Sequence, residues 1–176
     1  KVQDIFVHRI IACGVQLNKN QKVTAKIDAK RRKEITKHHS LAHLLQASLQ
    51  NILGKDVHQA GSYVEENKTR YDFTFDRALT KAEIKKVQDL INIWISKNIT
   101  RTTKVMSLEE ANKTGAMALF GEKYGDFVRV VSFDDNEGNC ISKELCAGCH
   151  VDNTTELKMA KIITESASSA GVRRIE

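Results

Sequence analysis

Two short stretches of this chain concentrate residue types that bind metal ions. In Thr36-Lys37-His38-His39-Ser40-Leu41-Ala42-His43-Leu44-Leu45, His39 and His43 are four apart. On a helix their rings leave the same face, one turn from each other. About a hundred residues later, Cys146-Ala147-Gly148-Cys149-His150 repeats that spacing between Cys146 and His150. Two pairs of nitrogen and sulfur donors, distant in sequence, meet the needs of one tetrahedral zinc ion. Calcium or magnesium would call for oxygen ligands instead. Alone, the first half also describes something plainer, His39 as a core histidine beside a surface His43, and the second half alone is no more specific. Together they take three of the chain's six histidines, and that joint pattern points to zinc. His38 and Cys149 are further potential ligands in the same strings.

Other chemistries lack their parts. No Ser-His-Asp constellation is visible, and Ser40 occupies the place where an HExxH metalloprotease carries its glutamate base. Cys146 and Cys149 form a CxxC, which suits redox chemistry or half a zinc site. With His150 behind them they imitate a c-type haem attachment string, but haem leaves His39 and His43 unexplained. Cys13 and Cys140 read as small apolar fillers, and a disulfide framework does not suit a core-forming chain of 176 residues.

The elements that must position these residues follow from periodicity. Lys33 to Leu53 reads as a helix with Leu41, Leu45, Leu49 and Ile52 toward a core, stopped by Gly54. The histidine face is offset from that stripe, which puts the candidate site at the edge of the core. Val57–Glu65 and Thr69–Phe75 read as a hairpin, with Tyr71, Phe73 and Phe75 alternating inward. Gln59 by itself is an exposed strand residue, although Gly61 signals a close backbone or ligand approach. Thr80 and Glu83 form a capping box for a helix to about Asn98, with Ile84, Val87, Ile91, Trp94 and Ile95 as its apolar stripe. A strand near Thr102–Val105, a short helix from Ser107 and a loop over Gly115–Asp126 come next. Strands are expected at Phe127–Phe133 and Ile141–Leu145, and the last pair at Leu157–Ser166 and Val172–Glu176. Residues 1–28 alternate loosely, with a turn at Asn18-Lys19-Asn20-Gln21-Lys22 between two strands. Helices and strands mix without a βαβα rhythm, so the fold class is α+β with a largely antiparallel sheet and packed helices.

The chain is long enough for one ordinary domain, or one domain plus an appended piece. At 41% hydrophobic and 28% charged it has the composition of a globular protein with a real core. No apolar run nears the ~20 residues of a membrane span, and no secretory leader pattern opens the chain, so a cytoplasmic, non-membrane protein is expected. It starts at Lys1, as a piece of a longer protein does. The net charge of +6 suits a polyanionic partner, and Lys30-Arg31-Arg32-Lys33 with Lys37 concentrates it just before the histidine helix. A solvated helix start explains the same run.

These motifs resemble the editing domain of the alanyl-tRNA synthetase family and its free-standing relatives, related to the threonyl-tRNA synthetase editing domain. The resemblance extends through Val57-His58-Gln59-Ala60-Gly61-Ser62 and the Gly115–Asp126 run with its Ala118-Leu119-Phe120-Gly121-Glu122-Lys123-Tyr124-Gly125 string. It continues through Val128-Arg129-Val130-Val131, Ser142–Cys146 and Glu165–Glu176. It covers Ala29 to the last residue, with 1–28 similar to the end of the small β-barrel subdomain that precedes such domains. It implies a zinc-dependent hydrolase over 29–176 that clears Ser-tRNA(Ala) or Gly-tRNA(Ala), with zinc on His39, His43, Cys146 and His150. It implies a catalytic, substrate-binding role for Gln59, and makes Arg32 and Lys123 contacts to tRNA. The implied partners are the tRNA(Ala) acceptor end, the aminoacyl-tRNA and the rest of the synthetase chain in cis, which joins alanine to tRNA(Ala) using ATP. Two departures stand out. The family threonine before the second histidine, linked to reading a serine hydroxyl, is Ala42 here, and the usual Cys-Gly-Gly-Thr-His is Cys146-Ala147-Gly148-Cys149-His150.

Overall fold

A computed structural model describes residues 7, 8, 11, 14, 16, 18–118, 123–135 and 137–176. Twelve of the residues 1–28, over which an amino-terminal β subdomain is expected, lie outside the described residues, Cys13 among them. Gln21 N–H closes the expected turn on the Asn18 carbonyl at 3.2 Å, but 21–28 run exposed without strand pairing.

Helix α1 spans Ala29–Leu53 and starts four residues before the expected Lys33, because Asp28 caps it by accepting from the Arg31 N–H. The Ala-Lys-Arg-Arg that follows consists of good helix formers. Gly54, at φ 122°, ends the helix where the sequence places the stop. The hairpin β1 (Gln59–Val64) and β2 (Thr69–Thr74) is antiparallel as expected. Helix α2 (Lys81–Ser96) carries the full Thr80/Glu83 capping box and buries Val87, Ile91, Trp94 and Ile95. Strand β3 (Thr100–Ser107), the short α3 (Leu108–Lys113), β4 (Phe127–Asp134) and β5 (Cys140–Leu145) follow, then β6 (Glu165–Ser169) and β7 (Val172–Ile175).

The strands form two antiparallel sheets, β1-β2-β7-β6 and β3-β4-β5. α1 packs against both sheets and against α2. The main core therefore joins Leu44, Leu45 and Leu49 of α1 to Tyr71 and Phe73 of β2, to Val131 and Phe133 of β4, and to the α2 stripe. Strand β4 is buried from Val128 to Phe133 except for Arg129. Its other face meets α3 in a second, smaller cluster of Ala111, Val128, Val130 and Leu145. Strand β7 is locked beside β2 by Ile175 in the core and by Arg174, which bonds both oxygens of its cross-strand partner Asp72 at 2.7 Å.

Two sequence expectations need correcting. Leu157–Ser166 is not one strand: Thr154–Leu157 is a 3-10 turn, and 158–164 is extended chain laid along α2. Asn92 exchanges two 2.9 Å hydrogen bonds with the Ala160 backbone, and Gln88 accepts from the Ile162 N–H at 3.0 Å. Side-chain amides thus take the place of a neighbouring strand, and alternating apolar residues look the same in either setting. Cys140, read as a filler, is exposed at the end of the β4–β5 hairpin, where the register shifts at Phe133/Asp134.

Candidate metal centre

α1 supplies the first half of the site through its own geometry. His39 and His43 stand one turn apart with ring centroids 5.6 Å from each other. The second half leaves the end of β5 directly, so Cys146 is fixed by the sheet and His150 by the loop behind it. The ligand atoms of His39, His43, Cys146 and His150 all lie within 4.8 Å of one another. Cys146 Sγ is 3.4 Å from His39 Nε2 and 3.2 Å from His150 Nε2. His43 and His150 are buried, whereas His39 and Cys146 are half-exposed, so the group sits at the rim of the core with one side toward solvent.

The loop is held from several directions. Arg129 on β4 donates from Nη1 to the carbonyls of Cys146 at 2.8 Å and Gly148 at 2.7 Å, while its own carbonyl accepts from the Cys146 N–H at 2.9 Å. Gly148 lies flat on His39, and a Cβ at that position would land on the imidazole. Ser40, fully buried on α1, lies 3.3 Å from His150 Nδ1 and accepts from the Val151 N–H at 3.0 Å. Glu144 brings a buried carboxylate oxygen to 3.4 Å from His43 Nε2, and its other oxygen accepts from the Ser142 hydroxyl at 3.0 Å.

Burial shapes the electrostatics. It pushes His43 down to about 3 and His150 down to about 2, with the neighbouring histidines and Arg129 adding to the effect, and it lowers His39 as well. Neutral imidazoles keep the lone pairs that coordination needs. The Cys146 thiol is raised by burial and eased back by the Gly148 N–H. Burial pushes Glu144 up to about 7, against the Ser142 hydrogen bond. His43 Nδ1 is buried with no hydrogen-bond partner among the described residues. A structural histidine in that setting is undersatisfied, at a cost of about 1–3 kcal/mol. Three neutral imidazoles and a thiol on two firmly held elements form a group that could hold a metal ion.

The other singled-out residues fall as follows. Gln59 is half-buried on β1, and its amide contacts the Tyr71 hydroxyl at 3.1 Å and the Ser62 hydroxyl at 3.1 Å. Tyr71 in turn donates to Gln46 at 2.7 Å, one turn beyond His43. Lys123 is exposed and lines a cleft of about 200 Å³ with Tyr124, Phe127, Arg129, Cys146 and Ala147. Arg32 reaches toward the loop, its Nη1 3.7 Å from Cys149 Sγ. His38 turns its Nδ1 to the Glu65 carbonyl at 2.6 Å, and neither it nor Cys149 joins the cluster. Ala42 is buried in the main core.

Sequence reasoning missed the supports: Ser40, Arg129, Glu144 and Gly148. A signal existed for two of them. Arg129 is a lone charge in the apolar run Val128–Val131, and Ser142 with Glu144 puts polar residues on a strand face that meets a helix.

Residues 128–176 match the family described as the threonyl and alanyl tRNA synthetase second additional domain. Curated relatives extend the likeness over nearly the whole chain. An alanine–tRNA ligase 1 of Lachnoclostridium phytofermentans is 54% identical across 88% of this chain and 17% of its own length. The alanine–tRNA ligases of Fervidobacterium nodosum and Thermotoga maritima are 49% and 46% identical, each across 99% of this chain and 20% of their own length. The chain is thus similar to alanine–tRNA ligases over nearly its whole length, and it spans about a fifth of the length of these relatives.

Proposed function

We propose that this domain is the proofreading unit of an alanyl-tRNA synthetase, hydrolysing the ester of Ser-tRNA(Ala) or Gly-tRNA(Ala) at a zinc ion held by His39, His43, Cys146 and His150. The observation that carries the reading is the meeting of those four side chains, within 4.8 Å, beside a cleft that Cys146 itself lines. The donor set of three imidazoles and a thiolate suits zinc. The need for a second site is physical: an alanine pocket cannot exclude the smaller glycine and rejects an added hydroxyl poorly. The rest of the parent chain, in cis, joins alanine to tRNA(Ala) with ATP.

Bound zinc supplies a Lewis acid that orients the aminoacyl group or lowers the pKa of a water. The chain's own residues do the remainder. Arg129 keeps the Cys146–Gly148 backbone against the cleft. Arg32, with the exposed Lys30-Arg31-Arg32-Lys33 run, meets phosphates of the acceptor end without reading sequence. Lys123 lies across the same cleft and receives the terminal nucleotide. Gln59, oriented by Tyr71 and Ser62, offers its amide to the substrate.

A second reading has its own support. Four protein ligands fill a tetrahedron, which leaves no position for water, and Ala42 puts a methyl where the family's threonine stands. Both favour a structural-zinc tRNA-binding module or an editing domain without turnover. Incubating the purified chain with Ser-tRNA(Ala), Gly-tRNA(Ala) and Ala-tRNA(Ala), with and without chelator, separates the readings. Selective, chelator-sensitive release of serine or glycine supports the hydrolase. Binding of tRNA without release supports the module.

A further inference from the structure

Ser40 stands between the two helical histidines, fully buried and outside the ligand group. A hydroxyl has one proton to give and two lone pairs to fill. Three groups approach it: the Val151 N–H at 3.0 Å, the Thr36 carbonyl oxygen at 3.1 Å and His150 Nδ1 at 3.3 Å. The amide can only donate and the carbonyl can only accept. If the hydroxyl proton went to His150, the Ser40 and Thr36 oxygens would face each other with no proton between them. One assignment turns all three approaches into hydrogen bonds. Ser40 donates to Thr36, Val151 donates to Ser40, and His150 donates to Ser40 from a protonated Nδ1. The alternative forfeits the bond to the Thr36 carbonyl and leaves that part-buried contact between two oxygens unsatisfied. A proton on Nδ1 leaves the lone pair on Nε2, the atom 3.2 Å from Cys146 Sγ.

We propose that Ser40 is a positioning residue that fixes His150 as the Nδ1–H tautomer and so presents a bare Nε2 to the metal site. Its consequence for metal binding rests on the zinc reading above, while the tautomer is a property of the metal-free chain. The same hydroxyl bonds α1 to the loop at Val151, so one small side chain ties the two halves of the site together. The position that carries a base in HExxH enzymes serves here to orient a ligand.

The test is a long-range ¹H–¹⁵N spectrum of the whole chain labelled at histidine, metal-free and then zinc-loaded, with His150 assigned through His150→Gln. The expected pattern is Nδ1 protonated and Nε2 bare, with zinc on Nε2 after loading. Ser40→Ala should shift the metal-free tautomer population and weaken zinc, measured by chelator competition, roughly ten- to hundredfold. Ser40→Thr restores the hydroxyl and should recover both. Thermal melts of the metal-free variants confirm that they are folded, and if threonine proves too large, the unmodified protein's spectrum decides alone. A proton on Nε2 of His150 overturns the inference, as does a folded Ser40→Ala with unchanged tautomer and affinity. Zinc uptake with the Nε2–H pattern defeats this inference alone. An Nδ1–H pattern without zinc uptake defeats the metal reading and leaves the tautomer standing.

Discussion

His39 and His43 are placed by α1 alone, since a helix that forms at all sets two residues four apart on one face. Cys146 and His150 share the same spacing, yet no helix carries them. They depend on Arg129 gripping two carbonyls, on Gly148 lying against His39, and on Ser40 bonding Val151. The helical half is thus preorganised by local structure and the loop half by tertiary contacts. Equal spacing in sequence conceals unequal dependence on the rest of the fold. Substitutions away from the ligands should therefore damage the site through the loop and seldom through the helix.

The largest effect is expected where the comparison vanishes. Cys146→Ala and His39→Ala each remove a ligand, one from either half, and both should abolish stoichiometric zinc and deacylation together. Elemental analysis and Ser-tRNA(Ala) release on the same samples check this. Full activity of a zinc-free Cys146→Ala protein would defeat the proposed mechanism.

Gly148→Ala comes next. The added methyl meets the His39 ring, so either the loop lifts or the histidine turns. Zinc affinity should fall roughly a hundredfold, the upper end for residues that orient ligands. Arg129→Lys is milder: a lysine keeps the charge and can donate to a carbonyl, but its shorter, flexible stem does not fix a donor where Nη1 stands between the Cys146 and Gly148 carbonyls. A loss of roughly tenfold is expected by chelator competition. If Arg129→Lys matched Gly148→Ala, the guanidinium would matter as much to the loop as the contact with His39.

The same contrast explains what could be read from the sequence. α2 was legible to its caps, because Thr80, Glu83 and the Ile84–Ile95 stripe act within one helix. His39 and His43 were legible for the same reason, and Cys146 with His150 because soft ligands are rare enough to stand out. What escaped notice depends on partners far along the chain. Ser40 acquires its role only beside His150, and Gly148 only beside His39. Asn92 replaces a strand only where Ala160 lies against it. Sequence periodicity also did not reveal that the strands divide into two sheets, because β7 pairs with β2 across about a hundred residues.

Acid should expose the buried histidines in the metal-free chain. His43 and His150 have folded values of about 3 and about 2, depressed from 6.5 by burial, so the unfolded chain binds protons more readily. Their contribution to stability is intact above pH 6.5 and is lost as the pH falls toward 3. Glu144, raised by burial from 4.5 to about 7, has the opposite sign, with its contribution intact below 4.5 and lost as the pH rises to 7. The two slopes oppose each other between 4.5 and 6.5. Below 4.5 the histidines act unopposed by Glu144, and both steepen the fall in stability. Urea unfolding from pH 7 to 3.5 should therefore show a shallow region and then a steep decline. A His43→Leu, His150→Leu double variant should flatten that decline.

Thr80→Ala should have the smallest effect and sets the baseline for the comparison. Thr80 accepts from the Glu83 N–H, and Glu83 returns the bond to the Thr80 N–H at 2.8 Å while also pairing with Arg77. Losing the cap costs about 1 kcal/mol in urea unfolding. Because α2 meets α1 through apolar packing and contributes no group to the metal cluster, zinc affinity should stay within error of the parent. A parallel loss of zinc binding would mean that α1 draws the placement of its histidines from α2. The helical half of the site would then depend on tertiary contacts as much as the loop does.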